Sequence, residues 1–232
     1  MLGTIVNALA IVLGSVAGLA FGQAIPERLK RTMIQGVGLA VLLIGISMAL
    51  QTKNLLIVIG SLVLGGALGA WIDIELRLQR LGAWLEYRLD SSGDGRFTKA
   101  FVSTSLIYCV GAMAIMGSLE SGLKGNHSIL FAKAALDGIS ALVFASSMGL
   151  GVVFSAVPVF IYQGIITFSA FYLQGLLSAH IVAEMSATGG LLILGIGLNI
   201  LEIKEIKVGN LLPGIFLAIP LTILLTKYHI GG

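Results

Sequence analysis

The sequence predicts an all-α polytopic membrane protein with about eight transmembrane helices, and three observations support this prediction. Hydrophobic residues make up 57% of the 232 residues, only 11% are charged, and the mean hydropathy is +1.02. Because a soluble domain carries roughly 25% charged residues, this chain lacks the polar residues to cover a water-facing surface. Several uncharged stretches are about 20 residues long, which is enough to cross the hydrocarbon of a bilayer. Basic residues are concentrated in alternate connections.

Eight spans follow from the stretches that lack Asp, Glu, Lys and Arg, once the apolar residues from Ile129 onward are included. They are 2–22, 32–51, 54–73, 99–118, 129–150, 155–177, 185–201 and 208–226. The fifth and sixth spans share a long apolar run, and we expect the turn between them near Gly149–Gly151 or near Ser155–Pro158. Glycines interrupt the 99–118 and 185–201 segments, so each is either a continuous span or a broken or re-entrant one.

Lysine and arginine residues are distributed unequally between the two sides of such a protein. The first, third and seventh connections hold Arg28, Lys30, Arg31, Arg77, Arg80, Arg88, Arg96, Lys99, Lys204 and Lys207. The opposite side holds Lys53, Lys124 and Lys227. The positive-inside rule therefore predicts that both termini lie outside the cytoplasm.

One polar segment, residues 74–98, separates the third and fourth spans. Its leucines form one helical stripe, at Leu78, Leu81, Leu85 and Leu89, while Glu86 and the arginines lie elsewhere on the helix. This pattern predicts an amphipathic helix on the cytoplasmic surface, followed by a loop over residues 90–95. The loop lacks the length and the final glutamate of a calcium-binding EF-hand, and Cys109 is the only cysteine. We expect no metal and no cofactor.

The two ends of the chain resemble each other. A shift of 152 residues aligns Met33 with Met185, Gly38 with Gly190, Leu39 with Leu191, Ile44 with Ile196 and Gly45 with Gly197; after a four-residue insertion, Asn54-Leu-Leu aligns with Asn210-Leu-Leu. The sequence thus predicts one membrane domain, residues 1–232, with repeats at 1–73 and 155–232 around central helices at 99–154. Spans 1–3 and 6–8 would then have opposite orientations, as in many secondary transporters. The alternative is chance similarity between two apolar helices.

Ionisable residues inside the predicted spans are the first candidates for function. Lys133 and Asp137 are four residues apart and share a helix face. The pair either lines a hydrated pathway or forms a structural salt bridge. Glu184, at the predicted start of the seventh span and followed by Thr188, either forms a cation or proton site or is favoured there by the helix dipole. Glu120, which ends the fourth span, favours an interfacial position.

Uncharged polar residues and glycines supply further candidates. Asn7, Gln163 and Asn199 lie in apolar runs, where lipid offers no hydrogen-bond partner. Most such residues pack helices against one another, and among them we choose Asn7 and Asn199 as the candidates for a substrate-facing role. Gly111 and Gly117 loosen the fourth span, which is either a discontinuous helix that exposes backbone groups to an ion or an ordinary kinked span.

Two glycine rows have the four-residue spacing that is typical of close helix packing. They are Gly14, Gly18 and Gly22 in the first span, and Gly65 and Gly69 in the third. The rows predict close packing either within the chain or in a homodimer.

Several of these motifs, taken together and in order, resemble the bacterial membrane family labelled domain of unknown function 554. They are residues 3–7, 109–122, 133–138, 163–164, 184–190 and 210–213. The resemblance covers essentially the whole chain and implies a bacterial inner-membrane protein that is sometimes labelled a transporter. In this family proline often follows the glycine that corresponds to Gly111, whereas this chain has Ala112, which weakens the broken-helix alternative. The resemblance implies no particular substrate and no catalytic residue.

Together these features predict a secondary transporter or permease for a small solute or ion, with its site at the repeat interface. The alternatives are an ion channel and a scaffold or signalling protein that acts through residues 74–98. An enzyme is not expected, because the sequence lacks the motifs of serine hydrolases and zinc proteases. Nucleic-acid binding is not expected either, because there is no dense basic patch.

Overall fold

A computed structural model describes residues 1–23, 26–89, 95–173 and 175–227, and these residues form helices and no strands. The helices are α1 (Leu2–Gln23), α2 (Glu27–Ala49), α3 (Leu55–Ile72), α4 (Ile74–Leu89), α5 (Arg96–Cys109), α6 (Ala112–Lys124), α7 (Ser128–Met148), α8 (Gly151–Phe154), α9 (Ala156–Phe168), α10 (Ala170–Leu173), α11 (Ala179–Ile200), α12 (Val208–Leu211) and α13 (Pro213–Lys227). The all-α prediction is therefore confirmed for the described part of the chain.

Seven segments of the described chain are long and apolar enough to cross a membrane. They are Leu2–Gly22, Arg31–Ala49, Leu55–Ile72, Ser128–Met148, Gly151–Phe168, Ala179–Ile200 and Val208–Lys227. The sixth predicted span, 155–177, was placed too far along the chain, because the apolar helix already starts at Gly151. The seventh was placed too late, because α11 starts at Ala179 and runs unbroken through the glycines.

The start of α11 corrects the position of Glu184. Ser178 caps this helix by accepting a hydrogen bond from the Ile181 backbone at 3.3 Å. Serine is a favoured N-cap because its side chain satisfies one of the unpaired first-turn N–H groups. Glu184 consequently lies inside α11 and not at its start.

Glycines end two of the helical segments. Helix α7 stops at Met148 because Gly149 has a φ of 89°, so the first of the two predicted turn positions is the one that the chain uses. Gly111 has a φ of 145°, a conformation that side chains rarely adopt. It separates α5 from α6, which meet at a bend of 58°. The segment predicted as 99–118 is thus a broken helix, and Ala112 does not prevent the break.

One compact unit contains Met1–Val37, Gln79–Cys109 and Met113–Leu173. In it α1 and α7 run side by side in the same direction. The glycine row of α1 lies directly against the backbone of α7, with Gly14 on Gly138, Gly18 on Leu142 and Gly22 on Ser146. A side chain at any of these glycines would collide with a carbonyl oxygen, so the close approach requires glycine.

The other compact unit contains Gly38–Leu78, Val110–Ala112 and Gln174–Gly232. Here the packed helices run in opposite directions. The α3 glycines lie against the start of the last span, with Gly65 on Gly214 and Gly69 on Asn210. The glycine rows of α1 and α3 are therefore both covered within the chain. The homodimer stays a prediction, and it has to use other surfaces of these helices.

Helix α4 has the predicted amphipathic pattern, and Trp84 and Tyr87 are 55% and 84% exposed. Glu86 differs from its expected place on the polar side, because it is only 5% exposed. Its carboxylate accepts hydrogen bonds from the Gly95 backbone at 2.8 Å and from the Thr98 hydroxyl at 2.6 Å. Glu86 thus fixes the start of α5. Most of the predicted 90–95 loop lies outside the described residues.

Candidate functional site

Lys133 and Asp137 form a buried ion pair on α7. Each residue is 6% exposed, and the Lys133 ammonium lies 2.9 Å from Oδ1 and 2.7 Å from Oδ2 of Asp137. Four-residue spacing on a helix places both side chains on one face, as the sequence predicted. The pair is neutral as a whole, which lowers the energy needed to hold two charges inside a membrane protein.

Asn7 supplies the second partner of Asp137. Its Nδ2 donates to Asp137 Oδ2 at 3.0 Å, and the residue is completely buried. Its Oδ1, in contrast, accepts no hydrogen bond from any described group. The glycine contacts between α1 and α7 bring Asn7 this close. The structure therefore unites three of the candidate residues from two distant parts of the sequence.

Tyr108 of α5 completes the surroundings of the ion pair, and sequence reasoning missed it. The Lys133 ammonium lies 6.0 Å from the centre of its ring, within the range of a cation–π contact. The Ser140 hydroxyl donates to the Asp137 carbonyl at 3.0 Å and lies 3.4 Å from the Tyr108 hydroxyl. An aromatic hydroxyl beside Cys109 in an apolar span was the only signal that pointed to it.

More polar groups are buried around the start of α7. Gly3 of α1 and Gly117 of α6 both lie against Leu130. Gly164 of α9 approaches Met1, and Gly122 of α6 lies against the Thr167 carbonyl of α9. Four helices therefore meet here, and buried polar residues lie next to these contact points in the sequence: Thr4, Ser118, Gln163 and Thr167.

We call this region the α7 polar cluster, and it consists of Thr4, Asn7, Tyr108, Ser118, Lys133, Asp137, Gln163 and Thr167. Four of its members carry polar atoms with no hydrogen-bond partner among the described residues, in addition to Asn7 Oδ1: the hydroxyls of Thr4, Ser118 and Thr167 and both amide atoms of Gln163. A buried polar group without a partner costs about 1–3 kcal/mol. The cluster therefore offers both donors and acceptors to a polar ligand.

The remaining candidates of the fourth span are Gly117, Gly111 and Glu120. Gly117 allows α6 to pack closely on Leu130, next to the cluster. Gly111 forms the helix break described above. Glu120 accepts from Asn126 at 3.0 Å and lies 3.7 Å from Lys124, near the end of α6. Its contacts are therefore with polar residues near the end of α6, and its interfacial position stays a prediction.

Glu184 and Thr188 belong to the other compact unit. Glu184 is completely buried and accepts hydrogen bonds from the Thr52 hydroxyl at 2.6 Å, the Lys53 backbone at 2.6 Å and the Asn54 backbone at 3.2 Å. It therefore holds the turn between α2 and α3, where the start of α3 favours a negative charge. The Thr188 hydroxyl is buried and has no partner among the described groups.

Asn199 closes a turn at the end of α11. Its Nδ2 donates to the Ile206 carbonyl, and its Oδ1 accepts from the Ile206 backbone, each at 2.8 Å. Both polar ends of the amide are thus used by the backbone of the following loop. The structure thus gives this candidate residue a loop-closing contact.

A search of the described ranges finds no group of three His, Cys, Asp or Glu residues arranged to hold a metal ion.

Comparisons with known proteins give the same family as the motifs. Residues 2–223 match the family described as "Protein of unknown function (DUF554)". The chain is 32% identical to "Uncharacterized membrane protein YdfK" of Bacillus subtilis (strain 168), over 94% of this chain and 93% of that protein. It is 33% identical to "Uncharacterized protein YqgA" of Escherichia coli (strain K12), over 96% of each. No solved structure matches. This membrane protein therefore belongs to the DUF554 family, as its motifs indicated.

Proposed function

We propose that this protein is a secondary transporter that carries a small solute or ion across the bacterial inner membrane and binds it at the α7 polar cluster. The observation that carries the proposal is a buried ion pair whose partner Asn7 has an unpaired oxygen, together with further unpaired polar atoms on the packed helices of the same compact unit. Lipid cannot satisfy such atoms. A bound solute with its own hydrogen-bond donors and acceptors would satisfy these atoms. Its release would leave them unpaired again.

An inverted repeat supports a transporter fold, and the contacts between α2 and α11 supply the argument. A Cβ built on Gly45 would lie 2.6 Å from the Leu194 nitrogen, and one on Gly197 would lie 3.0 Å from the Leu42 nitrogen. The shift of 152 residues converts each of these contacts into the other. The same holds for a second set of contacts, which joins Gly190 to Met48 and Ala49, and Gly38 to Ile200 and Leu201.

Two-fold symmetry requires such reciprocal contacts, in which residue i meets j while the equivalent of j meets the equivalent of i. Antiparallel packing of any two helices also gives them, so the contacts agree with the repeat, and the aligned residues remain its main support. The contacts also require α2 and α11 to run in opposite directions. Because this interface is filled by glycines and apolar side chains, we place the solute site at the α7 polar cluster and not there.

The directions of the helices support eight spans. Helices α1 and α7 run in the same direction, so an odd number of crossings must separate them. Spans α2 and α3 account for two crossings. The bent pair α5–α6 would be the third, and it would make α7 the fifth span. With eight spans the basic connections favour termini outside the cytoplasm.

The proposal is tested by a thermal-shift screen of the purified, detergent-solubilised protein against ions, amino acids, organic acids and other metabolites at two pH values. A ligand that binds the folded protein raises its apparent stability by mass action. Each hit is then tested for uptake into proteoliposomes. We expect uptake of at least one hit by the wild-type protein and its loss in Asp137→Asn.

Asp73→Asn is the matched control, because Asp73 is exposed and its φ of 56° suits asparagine equally well. The control should transport like the wild type. Flux at a rate far above that of a carrier would indicate a channel instead. A well-folded protein that binds and transports nothing would contradict the proposal and favour the scaffold alternative.

A further inference from the structure

We infer that the α7 polar cluster binds a proton and a small carboxylate anion together, the proton on Asp137 and the anion on Lys133. This inference names the substrate class of the proposed transporter and rests on that function for its transport consequence. Binding itself is independent of transport. Three features of the cluster lead to it: its charge balance, the amide of Asn7 and the geometry of the ion pair.

The first feature is the charge balance. With an ionised Asp137 the pair carries no net charge. Uptake of a proton converts the Asp137 carboxylate to a carboxylic acid and leaves the Lys133 ammonium without its counterion. An unpaired charge inside a membrane protein is costly, so the protonated cluster favours an anion beside Lys133. Proton and anion therefore strengthen each other's binding, by the reciprocity that all linked equilibria obey.

The second feature is the amide of Asn7. Its Nδ2 donates to the ionised Asp137, whereas its buried Oδ1 has no partner in the described structure. A protonated Asp137 has an O–H group that donates. Rotation of the amide by half a turn then presents Oδ1 as the acceptor. The same side chain can thus bind both protonation states of Asp137, and the unpaired oxygen is the group that only the protonated state uses.

The third feature is the geometry of the ion pair. The Lys133 ammonium lies within 2.9 Å of both oxygens of a carboxylate, so it already has the position of a carboxylate-binding group. An incoming carboxylate can replace Asp137 at this position. Thr4 lies three residues before Asn7, on the same face of α1, and adds a buried hydroxyl that has no partner in the described structure.

No other charged side chain on the packed helices competes for this role. Helix α1 carries no ionisable side chain, and α8 carries none. From α5 the ionisable groups are Arg96 and Lys99 in its first turn, nine or more residues before Tyr108, then Tyr108 itself, which has Ser140 as a partner, and Cys109. Helix α9 adds the phenol of Tyr162. On α6, Glu120 and Lys124 pair with each other, and the His127 ring before α7 bonds to Ser121 at 3.0 Å. Asp137 is therefore the group that takes the proton.

Isothermal titration calorimetry of the full-length protein in detergent tests the inference, with formate, acetate, lactate and pyruvate as probes. Each titration is repeated in two buffers with different heats of ionisation, because the difference gives the number of protons taken up on binding. We expect binding of at least one probe with uptake of about one proton for each anion, and tighter binding at acidic pH. Methylammonium is the negative control.

Variants separate the two ligands. Lys133→Gln should bind the anion roughly tenfold more weakly or not at all. Asp137→Asn should still bind it, but without proton uptake and equally at both pH values. If its unpaired lysine prevents folding, the neutral double variant Lys133→Gln/Asp137→Asn replaces it, and this variant should neither bind the anion nor take up protons. Asp73→Asn should behave like the wild type.

Anion binding without proton uptake in the wild-type protein would overturn the inference, and so would the absence of binding by all four probes. If the probes fail to bind while another solute from the screen is transported, the inference fails and the transporter stands. If an anion binds with a proton but proteoliposomes show no flux, the inference stands and the transporter fails.

Discussion

Asp137 and Glu184 are both buried carboxylates within long apolar helices, but they have different partners. Asp137 faces a lysine ammonium and an amide whose oxygen is unpaired. Glu184 accepts from one hydroxyl and two backbone N–H groups, all of which belong to the single turn at residues 52–54. The first carboxylate joins two helices through side-chain groups, whereas the second is bound mainly by the backbone.

This difference separates a site that can exchange partners from a structural anchor. Backbone N–H groups at a helix start cannot move away from Glu184 without unfolding the turn. Exchange of the hydrogen-bond partners of Glu184 therefore requires a large free energy. The partners of Asp137 are side chains, and they can rotate. Burial and charge alone therefore do not identify the functional carboxylate, but the nature of its partners does.

The largest effect on stability should come from breaking the ion pair on one side only. Lys133→Leu leaves Asp137 buried without its cation, and loss of one partner of a buried pair costs about 3–5 kcal/mol. The double variant Lys133→Leu/Asp137→Leu removes both charges and should differ from the wild type by about 1 kcal/mol or less. Equilibrium unfolding in mixed micelles measures both differences.

Lys204→Leu is the control for the first variant, because Lys204 is exposed, and it should leave the unfolding free energy unchanged. If the double variant were as unstable as the single one, the ion pair would be a structural element like Glu184. The distinction between Asp137 and Glu184 would then be wrong.

Replacement of Glu184 should have the next largest effect on stability. Lys133 and Asp137 are unchanged in this experiment. Glu184→Ala removes three hydrogen bonds to a charged group, and we expect a loss of about 2–3 kcal/mol. Glu184→Gln keeps one acceptor oxygen and should lose less. Glu205→Ala, at an exposed position, is the control. A Glu184→Gln protein that is stable but cannot bind solute would show that this carboxylate has a functional role after all.

The composition and the charge-free runs predicted most of the fold, because span length and charge distribution depend on the bilayer and not on tertiary detail. The α7 pair was also predictable, since four-residue spacing fixes a helix face. The extent of α11 was less predictable. No charge marks its first residues, and only the capping Ser178 identifies where the helix starts.

The contacts between distant residues were not predictable from one sequence. The Asn7–Asp137 bond joins residues 130 positions apart and depends on the glycine row that lets α1 approach α7. Glu86, Tyr108 and Asn199 were misjudged or missed for the same reason. Their partners lie across a turn or on another helix, and helical periodicity shows only which face a residue occupies.

The smallest effect should come from the neutral partners of the two carboxylates. Thr52→Val removes the hydroxyl that donates to Glu184 at 2.6 Å, and we expect a loss of about 1–2 kcal/mol in unfolding free energy. Asn7→Leu also removes a donor to a carboxylate, but it eliminates an unpaired buried oxygen at the same time. The two contributions oppose each other, so this variant should lose less than about 1 kcal/mol. Unfolding of both variants in the same micelles measures the difference. A larger loss in Asn7→Leu than in Thr52→Val would mean that the Asn7 amide is fixed as firmly as the turn around Glu184, and would leave Asp137 no partner able to follow its protonation.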